Sequence, residues 1–555
     1  MSQEREWVIT LKTGEDLDRF YDDMESSYGS DSVPSRLVEC AYRRPMSRST
    51  HYYLTDAEAE IVATDPRIEA IELTFKEMGH EIKPTLFQTS SNFDKSGTNN
   101  ANDVNWALYR STYGATKPAG WGSDSTPVAS GTIELTNAGL NVDVVIIDGH
   151  MVPSHPEWAV NQDGTGGTRL NQFNWFQYNN EVRGVAAGTY VYDFLTDAGS
   201  IANNNHGNNV GAIVAGSSCG WAKLANIYNI SPYSGSTANA TGYGNYTYDL
   251  FNYIRVWHNN KPINPATGRK NPTVCNMSFG FNGGYVLNDI TKIYYQGIEY
   301  TKPAAGWAVQ DRINFDLVAA SGTTMLFMVR NASIDADIAD CINDGIILVG
   351  AAGNFYMYND RSGGINYDNY LRQLLSFSNY MRGPSPGAAD GVICVSAIDS
   401  TLTEQKVNFS NAGPRTDIFA PGTNIMGAHY SGGVADPRNS SFVKGKMSGT
   451  SQASPQVCGL VACALETYPN MKPTEALAYI QTYAYSEIMS GGGAFSTAYG
   501  AAEYLSYNKL YGGPNKYAAY RKERLSTGNV FPKKNFKFRP SDGAVYPRPR
   551  IRRYG

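Results

Sequence analysis

Lys446-Met447-Ser448-Gly449-Thr450-Ser451-Gln452-Ala453-Ser454-Pro455 runs directly, through Gln456, into Val457-Cys458-Gly459-Leu460-Val461-Ala462-Cys463-Ala464-Leu465. The small residues permit a tight backbone turn, and the apolar run behind them has the length and spacing of a buried helix. This predicts Ser451 at a helix N-terminus, its hydroxyl among N–H donors and the helix dipole favouring negative charge on a bound oxygen. Pro455 is expected within about the first turn, where a missing N–H costs little. A lone serine is a poor nucleophile, so the chemistry requires a base, and an acid to orient that base, elsewhere in the chain.

The pattern Gly449-Thr450-Ser451-x-Ala453-Ser454-Pro455 resembles that of the subtilisin-family serine proteases. Other segments resemble the family in its order. Val142-Asp143-Val144-Val145-Ile146-Ile147-Asp148 reads as an apolar strand ending in an acid, with His155-Pro156-Glu157 just beyond. Ligand sites in open parallel sheets gather at the carboxyl ends of strands, which suits Asp148 as the orienting carboxylate. Gly149 stands where the family has Ser or Thr.

Asn203-Asn204-Asn205-His206-Gly207-Asn208-Asn209-Val210 resembles the family's "HGT" segment, with asparagine caps expected to put His206 at a helix mouth. The resemblance makes His206 the general base. Asn208 and Asn209 depart from the family's Thr-His. His150, His155 and His258 are rivals, but none heads a Gly-rich helix.

Thr273-Val274-Cys275-Asn276-Met277-Ser278-Phe279-Gly280 resembles the edge on which the family binds its substrate as an added strand, implying contacts by Ser278, Phe279 and Gly280. Gly350-Ala351-Ala352-Gly353-Asn354, behind an expected helix over 333–343, resembles the strand end whose Asn donates to the oxyanion. This implies Asn354 in that role, with Ala352 and Gly353 beside the substrate. Phe409-Ser410-Asn411-Ala412-Gly413 and Ile418-Phe419-Ala420-Pro421-Gly422 match two more family segments, and a helix is expected over 473–485.

Strands alternating with helices argue an α/β fold. The resemblance implies a mostly parallel central sheet with helices on both faces over 106–510, carrying Tyr-, Asn- and Gly-rich insertions near 282–330 and 356–386. Residues 1–80 read as a small α+β unit of the split βαβ kind, with strands over 7–12, 37–42, 51–54 and 67–73 and helices over 16–27 and 56–64. Its close, Asp65-Pro66-Arg67-Ile68-Glu69-Ala70-Ile71-Glu72, resembles the family's inhibitory propeptide. An unrelated accessory domain is the alternative. The polar 81–105 stretch reads as a linker and processing region.

The chain has 555 residues, 42% hydrophobic, and a net charge of −5. No secretory signal opens it and no run of eighteen apolar residues interrupts it, so neither export by that route nor membrane spanning is expected. An intracellular enzyme, or one packaged in a particle such as a virion, is implied. Seven scattered cysteines, with no Cys-x-x-Cys pair, suit buried thiols better than a disulfide scaffold. No His-Glu-x-x-His and no Walker-type loop occurs.

The family commonly carries calcium after the histidine helix, but the path from Ser217 to Leu224 looks too short for that loop. No cofactor is required, and calcium is unsupported by the sequence. Residues 511–555 are a basic extension: from 516 onward twelve Lys or Arg face two acids, a tail that is either solvated or in contact with a polyanion. The expected activity is a serine endopeptidase acting on proteins or peptides through Asp148, His206 and Ser451, with its own N-terminal domain as inhibitor. A non-catalytic structural or binding protein that keeps the fold is the rival.

Overall fold

A computed structural model describes residues 4–25, 38, 40–44, 46–74, 77, 85–86, 99–108, 137–192, 201–232, 246–321, 324–374, 376–399, 406–482, 484–488 and 506–510. The basic 516–555 stretch lies outside them, as does most of the expected processing region.

The N-terminal unit runs β1 (Arg5–Leu11), α1 (Leu17–Glu25), β2 (Cys40–Tyr42), β3 (Ser49–Leu54), α2 (Asp56–Val62) and β4 (Ile68–Leu73), with antiparallel sheet order β2-β3-β1-β4. Thr55 starts α2 with a capping box closed by Glu58, satisfying two N–H groups that the helix leaves open. Ile9, Leu11, Phe20, Met24, Tyr52, Leu54 and Val62 form its core. After a two-residue strand, β5 (Thr85–Leu86), the main body begins.

Of its strands, those that build or border the central sheet are β6 (Asp143–Ile147), β7 (Leu170–Asn171), β8 (Asn226–Ile230), β9 (Thr273–Met277), β10 (Phe279–Gly280), β11 (Ile347–Ala351), β12 (Ile393–Ile398), β13 (Ile418–Pro421), β14 (Ala484–Ile488) and β15 (Ser506–Leu510). All but β10 join one sheet, ordered β14-β15-β13-β12-β11-β9-β6-β8-β7. The seven strands from β13 to β7 are parallel, and β14 pairs antiparallel with β15. From β6 the chain goes to the edge strand β7, comes back to insert β8 between them, then lays β9 on the other side of β6. The topological switch, and the crevice that goes with it, therefore lies between β6 and β9.

Strand β6 is apolar at nearly every position because both faces are covered. Val144 and Ile146 point to one core, with Val210 and Val214 of α3 (Ile201–Ala215) and Val457 and Val461 of α6 (Thr450–Thr467). Val145 and Ile147 point to the other, with Tyr253, Ile254 and Trp257 of α4 (Tyr246–Asn260) and Ile334 and Ile338 of α5 (Ala332–Asn343). The expected helices on both faces are thus present. Helix α7 (Pro473–Thr482) is shorter than expected, since Ala484–Ile488 joins the sheet as β14.

The insertions are not independent excursions. Strands at Lys292–Tyr295 and Tyr370–Gln373 pair across them, and Leu287, Ile293, Phe315, Met325 and Phe327 share a core with Met357, Leu371, Tyr380 and Met381. All seven cysteines are free thiols, six of them buried. Among the described residues no helix is long and apolar enough to cross a membrane.

Charged side chains seat the N-terminal unit on α4 and α5. Arg44 is fully buried between Asp249 and Asp337, and also donates to Ser333 Oγ at 3.0 Å. Ser47 donates to Asp337 at 2.8 Å, and Arg183 of the main body meets Asp249 at 2.7 Å. Glu72 faces the first turn of α5. Burial, reinforced by Asp335, raises its carboxyl to about 7 although the amides of Ala332 and Ser333 pull the other way.

A carboxyl raised from 4.5 to about 7 is favoured in its neutral form when docked. Its contribution is complete below pH about 4.5 and is lost as pH rises through 7. Parent and Glu72→Gln are expected to melt alike near pH 4.5, with the variant increasingly the more stable by pH 8. A difference between them that stays constant across that window in thermal melts would refute this account of Glu72.

Candidate active site

The site grows from the carboxyl ends of β6 and β9. Ile147 is the partner of Met277, and Met277 of Gly350, so Asp148, Ser278 and Ala351 emerge side by side. Helix α3 lies directly over this edge. A Cβ at Gly207 would stand 2.1 Å from Gly149 O, so only glycine after His206 lets the helix come this close. His206 and Asp148 are both buried, and the imidazole Nδ1 lies 2.8 Å from Asp148 Oδ1. An ionised carboxylate only accepts hydrogen bonds, so Nδ1 carries the proton and Nε2 is the basic nitrogen. Among the described residues Nε2 makes no hydrogen bond.

Helix α3 begins earlier than the asparagines suggested. His206 is its sixth residue rather than its mouth, and Asn205, Asn208 and Asn209 are spent on tertiary bonds instead of capping. Asn205 accepts from the amides of Tyr430 and Ser431, Asn208 from Val152 N, and Asn209 donates to Gly445 O at 3.1 Å. Asn209 also accepts from Gln452 Nε2 at 3.1 Å, tying the helix of His206 to that of Ser451. At the departure from the family pattern, the Gly149 backbone N–H donates to Asp148 Oδ1 at 2.7 Å, and Oδ2 has no partner among the described residues.

Ser451 is the second residue of α6, as expected, but Pro455 is the sixth, inside the helix. Pro455 cannot donate to the carbonyl four residues earlier, which is that of Ser451. The carbonyl accepts from Ser278 Oγ at 2.9 Å instead, and Ser451 Oγ donates back to Ser278 O at 3.2 Å. Asn276 donates to Ser278 Oγ and accepts from Ser454 Oγ, each at 2.8 Å, so a buried polar chain locks β9 to α6. Asp148 and His206 are thus joined by a hydrogen bond, while the Ser451 hydroxyl rests on Ser278.

Asn354 follows β11. Its Oδ1 accepts from Thr450 N and Thr450 Oγ1, both at 2.9 Å, and its buried Nδ2 has no partner among the described residues. A side-chain amide fixed at one end, with its donor end unspent beside the N-terminus of α6, can donate to a negative oxygen. After Ser278, Phe279 and Gly280 form β10, whose edge is occupied: Phe279 pairs with Leu86 and Gly280 with Thr85, antiparallel. Ala352 and Gly353 lead from β11 to Asn354. Gly353 has φ +107° and a Cβ there would lie 2.4 Å from Asn411 Nδ2. Among the described residues no group of three or more His, Cys, Asp or Glu side chains converges as metal ligands do, and calcium enters no step below.

A model of the subtilase family matches residues 139–510. The chain belongs to the subtilase family. It is 24% identical to an extracellular serine proteinase of Thermus sp. (strain Rt41A) over 68% of its own length and 65% of that protein's. It is also 24% identical to alkaline serine exoprotease A of Vibrio alginolyticus, over 64% of this subtilase and 48% of the relative. The chain therefore spans about two-thirds of the one and half of the other. Among solved structures, fervidolysin from Fervidobacterium pennivorans, described as a keratinolytic enzyme related to subtilisin, aligns with 92% of the chain and 60% of its own at TM-score 0.47 and 15% identity.

The close approach of α3 is testable. Gly207→Ala is expected to cost roughly 1–3 kcal/mol through overpacking against backbone. Gly14→Ala, whose new Cβ meets only Arg48 Cγ at 3.7 Å, is the control. Equal melting midpoints for the two variants would show that α3 does not need glycine there.

Proposed function

We propose that this subtilase is a serine endopeptidase made as a self-inhibited precursor. The observation that carries the reading is the buried Asp148–His206 pair, which leaves a basic Nε2 on a helix that Asn209 and Gln452 tie to the one beginning at Thr450 and Ser451. In this reading a turn about the Ser451 Cα–Cβ bond moves its hydroxyl from Ser278 O to Nε2. His206 takes the proton as Oγ attacks the peptide carbonyl carbon, and Asp148 steadies the imidazolium. Asn354 Nδ2 and the helix N-terminus receive the oxyanion. His206 then protonates the departing amine, leaving an acyl-enzyme, and activates the water that releases it.

Substrate adds as a strand on β10, between the 278–280 and 352–353 segments. The antiparallel seat of β5 on that edge supports inhibition by the chain's own N-terminal part, which Arg44 and Ser47 anchor on the helices behind. The names of the serine proteinase relatives are in keeping with the same chemistry.

A second reading, a non-catalytic protein with a closed cleft, draws on the Ser451 hydroxyl lying on Ser278 O. The two separate on one experiment. Purified parent, sampled during incubation, is expected to react with a fluorophosphonate probe as its N-terminal part is cut away, and Ser451→Ala to do neither. Peptide hydrolysis should fall on the order of 10⁶-fold in Ser451→Ala and about 10²–10³-fold in kcat in Asn354→Ala, both magnitudes having been established on subtilisin. A parent that neither labels nor cleaves, or a Ser451→Ala protein that still does, would discard the endopeptidase reading.

A further inference from the structure

The segment Phe409-Ser410-Asn411-Ala412-Gly413 has a recognisable pattern but no part in the chemistry above. Its Asn411 is fully buried and lies against the turn that carries Asn354. That turn is sharp: Gly353 has φ +107° and Tyr356, not a glycine, has φ +59°. Asn359 Nδ2 donates to Ala352 O at 2.9 Å and Phe409 O accepts from Tyr356 N at 3.0 Å, but neither bond spans Asn354. Asn411 does, with bonds on both sides of it.

Upstream, Asn411 Nδ2 donates to Ala352 O at 3.0 Å and its backbone N–H to Gly353 O at 2.8 Å. Downstream, Asn411 Oδ1 accepts from the amides of Phe355 and Met357, both at 2.9 Å. One residue therefore ties positions 352, 353, 355 and 357. Asn411 is itself held, its carbonyl accepting from Ser396 Oγ at 2.7 Å and Ser410 Oγ at 2.9 Å. Thr450 orients the Asn354 side chain and accepts from Gly353 N at 3.2 Å, while Asn411 fixes the backbone on both sides of Asn354. Gly353 fits the same picture, because any side chain there would displace the Asn411 amide.

We propose that Asn411 is a positioning residue for the oxyanion donor, acting on Asn354 through the 352–357 turn. The inference rests on the reading of Asn354 as that donor. A donor must meet the oxyanion within a few tenths of an ångström, and a displacement of about 1 Å costs about 10²-fold. No other side chain supplies Asn411's combination in place: two acceptances by one oxygen and a donation from the amide beside it. Leucine matches it in size and makes none of these bonds.

The test is a double-mutant cycle in peptide hydrolysis by the full chain after it has processed itself: parent, Asn411→Leu, Asn354→Ala and the double variant. Asn411→Leu is expected to lower kcat about 10- to 100-fold with KM little changed. In the Asn354→Ala background the same substitution is expected to cost less than about threefold, because the group it positions is gone. If Asn411→Leu does not accumulate as folded protein, Asn411→Ser, smaller and still polar, takes its place in the cycle. Losses that multiply, or a rise in KM with kcat intact, would overturn the positioning role while leaving the endopeptidase reading in place. A parent without Ser451-dependent hydrolysis would remove both.

Discussion

The reciprocal hydrogen bonds between Ser278 and Ser451 are the joint on which the centre of the molecule turns. A parallel sheet and a helix driven against its carboxyl edge have little reason to agree on a register from apolar packing alone, because such packing is non-directional. Direction comes from the polar chain Ser454–Asn276–Ser278–Ser451, all of it buried. A buried polar network specifies one arrangement only if each member is satisfied. Here a proline helps: without an N–H at position 455, the Ser451 carbonyl is available to the strand. The same joint sets the height of Thr450, and through it the side chain of Asn354.

Much of this was readable in the sequence, for identifiable reasons. The uninterrupted apolar run of β6 signals a strand covered on both faces, and the acid that ends it lies where a parallel sheet opens its crevice. The small-residue turn into α6 placed Ser451 near a helix start. What escaped reading were the contacts made across the fold. The asparagines of α3 look like caps in isolation, and only the neighbouring 425–445 segment shows that they bond outward. Pro455 looks like a first-turn proline until Ser278 supplies the donor that makes a later position tolerable. The role of Asn411 depends on a turn some sixty residues earlier, and no local pattern announces it.

The N-terminal unit is joined to the main body differently from the way its own core is built. Inside, Phe20, Tyr52 and Val62 pack as apolar groups do. At the seam, a buried arginine lies between two carboxylates, and a half-buried glutamate sits at the start of a helix. Breaking a buried ion pair by removing one partner costs several kcal/mol, although the intact pair adds little over apolar groups of similar size. Such a seam is specific in where it fits and sensitive to the charge state of its members. An apolar seam would offer adhesion without that sensitivity.

The two insertions, interrupted in sequence by α5 and β11, have a joint fate. Neither encloses a core of its own, for Leu371 and Tyr380 complete what Ile293 and Phe327 begin, and Ala351 of β11 is built into the same cluster. Excising one segment strips the other of its cover and uncovers the strand that leads to Asn354. A shortened chain therefore has to lose both together.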